Sequence, residues 1–285
     1  MQFRTIVDIP SPTFSIAPCE EMLFVGSCFA DNIGRRFSSE MFRATVNPFG
    51  VMYNPASILH TVQRTTVAPR VAVFTLGTNH VYVLKETGEI VDNCQKRPQR
   101  LFEERELSVD ECADYLRQAI SVLRQRHHDV QIIITVSPIR YAKYGYHGSQ
   151  LSKATLLLAA DKLCREFAFA SQPQFQGKAS VAEQSGVGVT YFPAYEIVND
   201  ELRDYRFYAD DMLHPSGVAV EYIWQRMVDT FFSDEAKAFM KAWAPIKRGL
   251  AHRPLNPDSV EYKAFHAKLM ADAEALKHRY PDMPF

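Results

Sequence analysis

Apolar and polar residues follow two rhythms along this chain. Short β-branched or aromatic runs fall at residues 22–25, 42–46, 71–76, 130–136 and 189–192, and each predicts a strand. The fourth, Val-Gln-Ile-Ile-Ile-Thr-Val, is nearly all apolar, as expected of a central parallel strand covered on both faces. Amphipathic stretches with helical spacing lie between the strands, at about 30–40, 55–65, 109–127 and 150–170. Ser108 followed by Glu111 gives the third of these a capping box. Strands alternating with helices predict an α/β fold. Residues 82–91, with Thr87-Gly88 in the middle, read as a hairpin or extended excursion.

After His214 the texture becomes helical. Residues 216–230, 234–247 and 258–279 carry helix patterns, and Asp258 with Glu261 suggests a cap for the last. Pro245 and the segment His252-Arg-Pro-Leu-Asn-Pro257 are expected to separate these helices. The chain is therefore divided into a main domain, residues 1–245, and a helical extension, residues 246–285, packed on it.

Composition narrows the function classes. Of 285 residues, 47% are hydrophobic and 23% charged, which is enough apolar material for a sizeable core. The net charge of −1, without long runs of one sign, gives no basic footprint for nucleic acid. No stretch is apolar enough to span a membrane, and no signal-peptide pattern opens the chain. Five scattered cysteines, with no Cys-x-x-Cys pair, suggest reduced thiols and a cytoplasmic location, and no metal site or cofactor is expected.

The chemistry concentrates where strands end. The first strand stops at Gly26, and Ser27 stands at the start of a helix. A small nucleophile there sits at the carboxyl edge of a sheet, beside the N–H groups and positive end of a helix. Serine needs a base, and an imidazole needs an acceptor on its other nitrogen. Asp211 and His214, three residues apart in a turn before a helix, can supply both. Oxyanion donors are expected from the Ser27 and Gly50 N–H groups and the Asn79 amide. Arg140, just beyond the fourth strand, is placed to touch a polar substrate; Tyr144 and His80 are further candidates for substrate contact. Cys28 reads as a packed neighbour rather than the nucleophile.

The chain resembles the SGNH (GDSL-type) hydrolases and, more narrowly, the GSCFA-domain family. The resemblance rests on Gly26-Ser27-Cys28-Phe29-Ala30, the block Asn47-Pro-Phe-Gly-Val-Met-Tyr-Asn-Pro55, Thr75-Leu-Gly-Thr78 and Asn93-Cys94. It continues through Thr135-Val-Ser-Pro138, Ser152-Lys-Ala154, Tyr191-Phe-Pro-Ala-Tyr-Glu-Ile197, the segment from Asp200 to Tyr208, and His214-Pro-Ser216. Cys28 stands where the commoner pattern has Leu, and His80 where a third-block Asp is usual. The resemblance implies a flavodoxin-like α/β/α sandwich around a five-stranded parallel sheet of order 2-1-3-4-5. It implies Ser27 as nucleophile, Asp211 and His214 as its partners, and Gly50 as oxyanion donor with Asn79 or, alternatively, Asn93. The expected activity is ester hydrolysis on a small acylated molecule, with deacetylation of a carbohydrate or glycan fragment as the family analogy. An acyltransferase and a non-catalytic binding module are the alternatives; oligomeric state is not legible.

Overall fold

The computed structural model describes residues 4–92, 97–170 and 188–285. Five strands, β1 (Glu21–Gly26), β2 (Arg43–Val46), β3 (Val71–Leu76), β7 (Gln131–Val136) and β8 (Val189–Tyr191), form a wholly parallel sheet. Its order is β2-β1-β3-β7-β8. The strands between β3 and β7, namely β4 (His80–Leu84), β5 (Ile90–Val91) and β6 (Phe102–Glu106), form a separate antiparallel sheet of order β5-β4-β6. Counted among its own members, the main sheet therefore runs 2-1-3-4-5. The excursion expected at residues 82–91 is the β4–β5 hairpin of that smaller sheet.

Both faces of the main sheet are covered, and side chains alternate between them. Leu23 and Val25, Ala72 and Phe74, and Ile132 and Ile134 pack with α2 (Pro55–Arg64), α3 (Val109–Arg126) and α4 (Gly145–Ala170). Met22 and Phe24, Val71 and Val73, and Ile133 face α1 (Cys28–Ser39), the short α5 (Ala194–Glu196) and α6 (Gly217–Phe231). Phe37 of α1 is enclosed by the rings of Phe24, Phe42, Trp224 and Phe232, at centroid distances of 4.8–5.4 Å. Such aromatic pairs add about 0.5–1.5 kcal/mol each beyond burial, and here they fix the helix behind Ser27.

The last two helices, α7 (Asp234–Leu250) and α8 (Val260–Arg279), share their own apolar cluster with Cys19. Trp243 Nε1 donates to Ser39 O at 3.0 Å, and Lys247 Nζ to Glu40 at 2.8 Å, so α7 grips the C-terminus of α1. Two details depart from expectation. Pro245 does not break the helix but lies inside α7. Pro245 is exposed, so the Lys241 carbonyl it leaves without a partner can face water. The cap of α8 is Ser259, whose Oγ accepts from Tyr262 N, rather than Asp258. No helix among the described residues is long and apolar enough to cross a membrane.

Candidate active site

Ser27 ends the turn after β1 and caps α1. Its Oγ accepts from Phe29 N at 3.2 Å and lies 3.1 Å from Thr75 Oγ1; the residue is 2% exposed. Gly26 makes that position possible. Its φ is +146°, and a Cβ there would lie 2.2 Å from Thr75 O, so β1 and β3 converge more closely than any larger residue permits. Asn47 locks the turn, accepting from Gly26 N at 2.9 Å and donating to Asp31 at 2.6 Å.

Asp211 and His214 form the expected pair. Asp211 Oδ1 accepts from both Leu213 N and His214 N at 2.9 Å, and Oδ2 lies 2.6 Å from His214 Nδ1. Those backbone bonds, first that of His214, with the imidazole bond added, hold the carboxyl down at about 2. Nδ1 being occupied by the carboxylate, Nε2 is the nitrogen left for chemistry. The turn is braced from β7: Arg140 N donates to Leu213 O at 3.0 Å and Arg140 Nη1 to Met212 O at 3.1 Å. The guanidinium lies over Tyr146, 4.1 Å from the ring centroid.

Ser27 and His214 line one cavity of about 290 Å³ at the carboxyl edge of the sheet, together with Cys28, Tyr53, Gly77, Arg140, Tyr141 and Lys153 among others. This edge is where parallel α/β sheets bind ligands. No hydrogen bond joins Ser27 Oγ to His214; the serine hydroxyl is turned into its cap and toward Thr75. Cys28 Sγ lies 3.9 Å from Tyr53 Oη, and burial, with Cys28 alongside, pushes the Tyr53 phenol up to about 12.

The expected oxyanion donors are placed differently. Ser27 N donates to Thr75 O at 3.1 Å, closing the β1–β3 end. Gly50 N donates to Asn47 O at 2.9 Å within a turn, and Gly50 does not line the cavity. Asn79 is buried, and its Nδ2 donates to Leu107 O at 2.8 Å. The Ser27 and Gly50 N–H groups are thus committed to the fold, and the Asn79 amide, with one of its two N–H groups on Leu107 O, does not line the cavity. Asn93 lies outside the described residues. Tyr144 and His80 stand behind the cavity wall: their rings stack at 3.6 Å, and Tyr144 stacks in turn on Tyr141. Tyr144 Oη donates to Glu104, which also receives Lys143 Nζ at 2.9 Å. Burial pushes His80 below its usual value.

One residue at the site carries no role in the sequence reading. Lys153 is 2% exposed, and its Nζ donates to Gly77 O at 2.7 Å and Ser137 O at 2.8 Å. Burial pushes its ammonium down to about 7. The signal was its register. Ser149, Ser152, Leu156, Ala160 and Leu163 mark the buried stripe of α4, and Lys153 falls within it.

The profile of the GSCFA family matches residues 21–68 and 61–227. The chain belongs to the GSCFA family. A second profile, described as GSCFA domain protein, C-terminal domain, matches residues 243–285, the stretch holding the end of α7 and all of α8. No curated protein matches the chain. Among solved structures, a candidate platelet activating factor from Streptococcus pneumonia is 14% identical, with a TM-score of 0.46 over 75% of this chain and 84% of that one. An acetyl esterase mutant with an acetate ion is 10% identical, with a TM-score of 0.42 over 78% of this chain and 98% of that one. A carbohydrate esterase family 3 protein from Talaromyces cellulolyticus is also 10% identical, with a TM-score of 0.39 and the same coverage. Similarity this distant carries neither residue roles nor an activity to the GSCFA chain.

Proposed function

We propose that this GSCFA protein is a serine esterase. Ser27 is the nucleophile, His214 the general base and Asp211 the group that orients the imidazole. The observation that carries the reading is the Asp211–His214 pair at 2.6 Å, presented to the same cavity as a buried strand-end serine. To react, the Ser27 hydroxyl rotates out of its cap toward His214 Nε2, giving up a bond worth about 1 kcal/mol. Its proton passes to Nε2 as Oγ attacks the acyl carbon. His214 then returns the proton to the leaving alkoxide, and water releases the acyl group by the reverse sequence.

The cavity is small, about 290 Å³, and suits a short acyl group such as acetyl. Tyr53 and Tyr141, whose rings meet edge to face at 6.0 Å, line it together with Arg140. Aromatic rings beside a guanidinium suit a polar, hydroxyl-bearing alcohol portion. Deacetylation of a carbohydrate or glycan fragment is the reading that fits them.

The test is reaction with a fluorophosphonate, followed by peptide mass spectrometry. Ser27 is expected to carry the adduct in the folded protein, and Ser27→Ala and His214→Ala to lose ester cleavage while keeping their circular dichroism. Absence of label on Ser27, or label on Cys28 instead, refutes the assignment.

A further inference from the structure

The site holds a nucleophile and an oriented base, but the backbone donors expected to receive the oxyanion are bonded elsewhere, and the Asn79 amide is not part of the cavity lining. Ser27 N is held by Thr75 O, Gly50 N by Asn47 O, and Asn79 Nδ2 by Leu107 O. A tetrahedral intermediate formed on Ser27 is therefore not served by these three groups.

We propose that the Lys153 ammonium receives its negative oxygen, and is so a catalytic residue of this cavity. The inference rests on the serine-esterase reading and deepens it. Lys153 reaches from α4 to the carboxyl ends of two adjacent strands, its Nζ held between Gly77 O and Ser137 O. An ammonium has three N–H protons; two are bound to these carbonyls, and one is left for a guest. The anchor is close to the nucleophile: a Cβ on Gly77 would lie 3.4 Å from Ser27 Cβ. Lys153 and Ser27 line the same cavity.

The other cations of the cavity are differently engaged. Lys143 is paired with the Glu104 carboxylate, and Arg140 braces Met212 O and covers Tyr146. Lys153 has no carboxylate partner among the described residues, and its lowered proton affinity has desolvation as its only cause. A buried cation without a counter-charge is costly to keep. That cost is offset when a negative oxygen forms beside it in a water-poor site.

The electron balance is simple. As the Ser27 Oγ–carbon bond forms, the carbonyl π pair moves onto oxygen, and the Ser27 proton goes to His214. Lys153 donates a hydrogen bond to the new oxyanion and keeps its proton. When the pair returns, the alkoxide leaves with the proton from His214. Fluorophosphonate follows the same course, with fluoride as the leaving group and the phosphoryl oxygen in place of the oxyanion.

The rate of fluorophosphonate labelling of Ser27 tests the proposal. Lys153→Met is expected to slow it by about 10²–10³-fold, the usual effect of losing one such donor. Labelling at the wild-type rate overturns the role of Lys153 and leaves the esterase reading standing. An unlabelled wild type overturns the esterase reading itself.

If Lys153→Met does not fold, the wild-type pH profile decides. The groups facing the cavity are Cys28 of α1, Tyr53 before α2, Arg140, Tyr141 and Lys143 after β7, and His214. Tyr53, Tyr141 and Lys143 all titrate above their usual values, and arginine stays charged. The labelling rate is therefore expected to fall about tenfold per pH unit above about pH 7 as Lys153 loses its charge, in wild type and in Cys28→Ala alike. A rate that stays level to about pH 9, or a decline that disappears in Cys28→Ala, overturns the proposal.

Discussion

Burial of Lys153 makes a prediction about stability that needs no substrate. Its ammonium titrates near 7 in the folded protein against 10.5 when exposed. Between these values the unfolded chain holds a proton on this amine that the folded one lacks. Stability then rises with pH across that window and is unaffected by the group below it, where both states are charged. At about 1.4 kcal/mol per pH unit, the whole span amounts to about 5 kcal/mol. From about pH 7 to about pH 9 the gain is about 2 kcal/mol, because titration is half complete at the start. Tyr and Cys groups also titrate toward the alkaline end, so the measurement is a difference. Urea unfolding of wild type and Lys153→Met is compared at each pH. The substitution strips the partner from Gly77 O and Ser137 O, a pH-independent loss of about 1–3 kcal/mol for each carbonyl left dry. The wild-type advantage is expected to grow by about 2 kcal/mol over the two pH units. A difference constant to within about 0.5 kcal/mol would mean that water reaches Lys153 and that its burial is not as described.

Four further outcomes follow from the same contacts. Gly26→Ala places a Cβ 2.2 Å from Thr75 O at a φ of +146°. It should cost about 3 kcal/mol or more in thermal or urea unfolding, and a loss under about 1 kcal/mol would contradict the close β1–β3 approach. Asp211→Asn keeps an oxygen for the Leu213 and His214 N–H groups but loses the acceptor for Nδ1; ester cleavage should fall about 10³–10⁴-fold with the fold retained, and near-normal turnover would remove Asp211 from the mechanism. Because its carboxyl is held at about 2, against 3.8 when free, its stabilising bonds persist above pH 3.8 and are lost only as pH falls through about 2; an Asp211-dependent loss of activity near pH 5 would contradict this. Trp243→Ala, which empties the α7–α8 cluster, should cost about 3–5 kcal/mol by the same unfolding assay, and a neutral result would mean the C-terminal helices stand apart from α1.

The main sheet was legible because its strands are short apolar runs with sharp ends. The fourth run became β7, every residue of which is buried. Ser108 and Glu111 formed the capping box their spacing predicts, because that motif is wholly local. Pro245 and Asp258 were misleading for a related reason: a proline on the solvent face frees a carbonyl that water can satisfy, and the adjacent Ser259 supplies a competing cap. The Asp211–His214 pair was legible as a three-residue spacing. The oxyanion donors were not, since whether an N–H is free depends on acceptors far along the chain. Asn79 meets Leu107 O, and Ser27 N meets Thr75 O. Lys153 was hidden in the same way. Its register placed it among apolar residues, but its two carbonyl partners lie 76 and 16 positions away.

α1 is held at both ends by different parts of the chain. Its first turn is capped by Ser27, and its last turn is gripped by Trp243 and Lys247 of α7. A helix of 12 residues is a rod about 18 Å long, and its ring-packed middle leaves little room to bend. The C-terminal helices and the proposed nucleophile are thereby fastened to opposite ends of one rod. Shortening the chain back through Lys247 and Trp243 would release the far end of that rod while leaving every residue of the cavity in place.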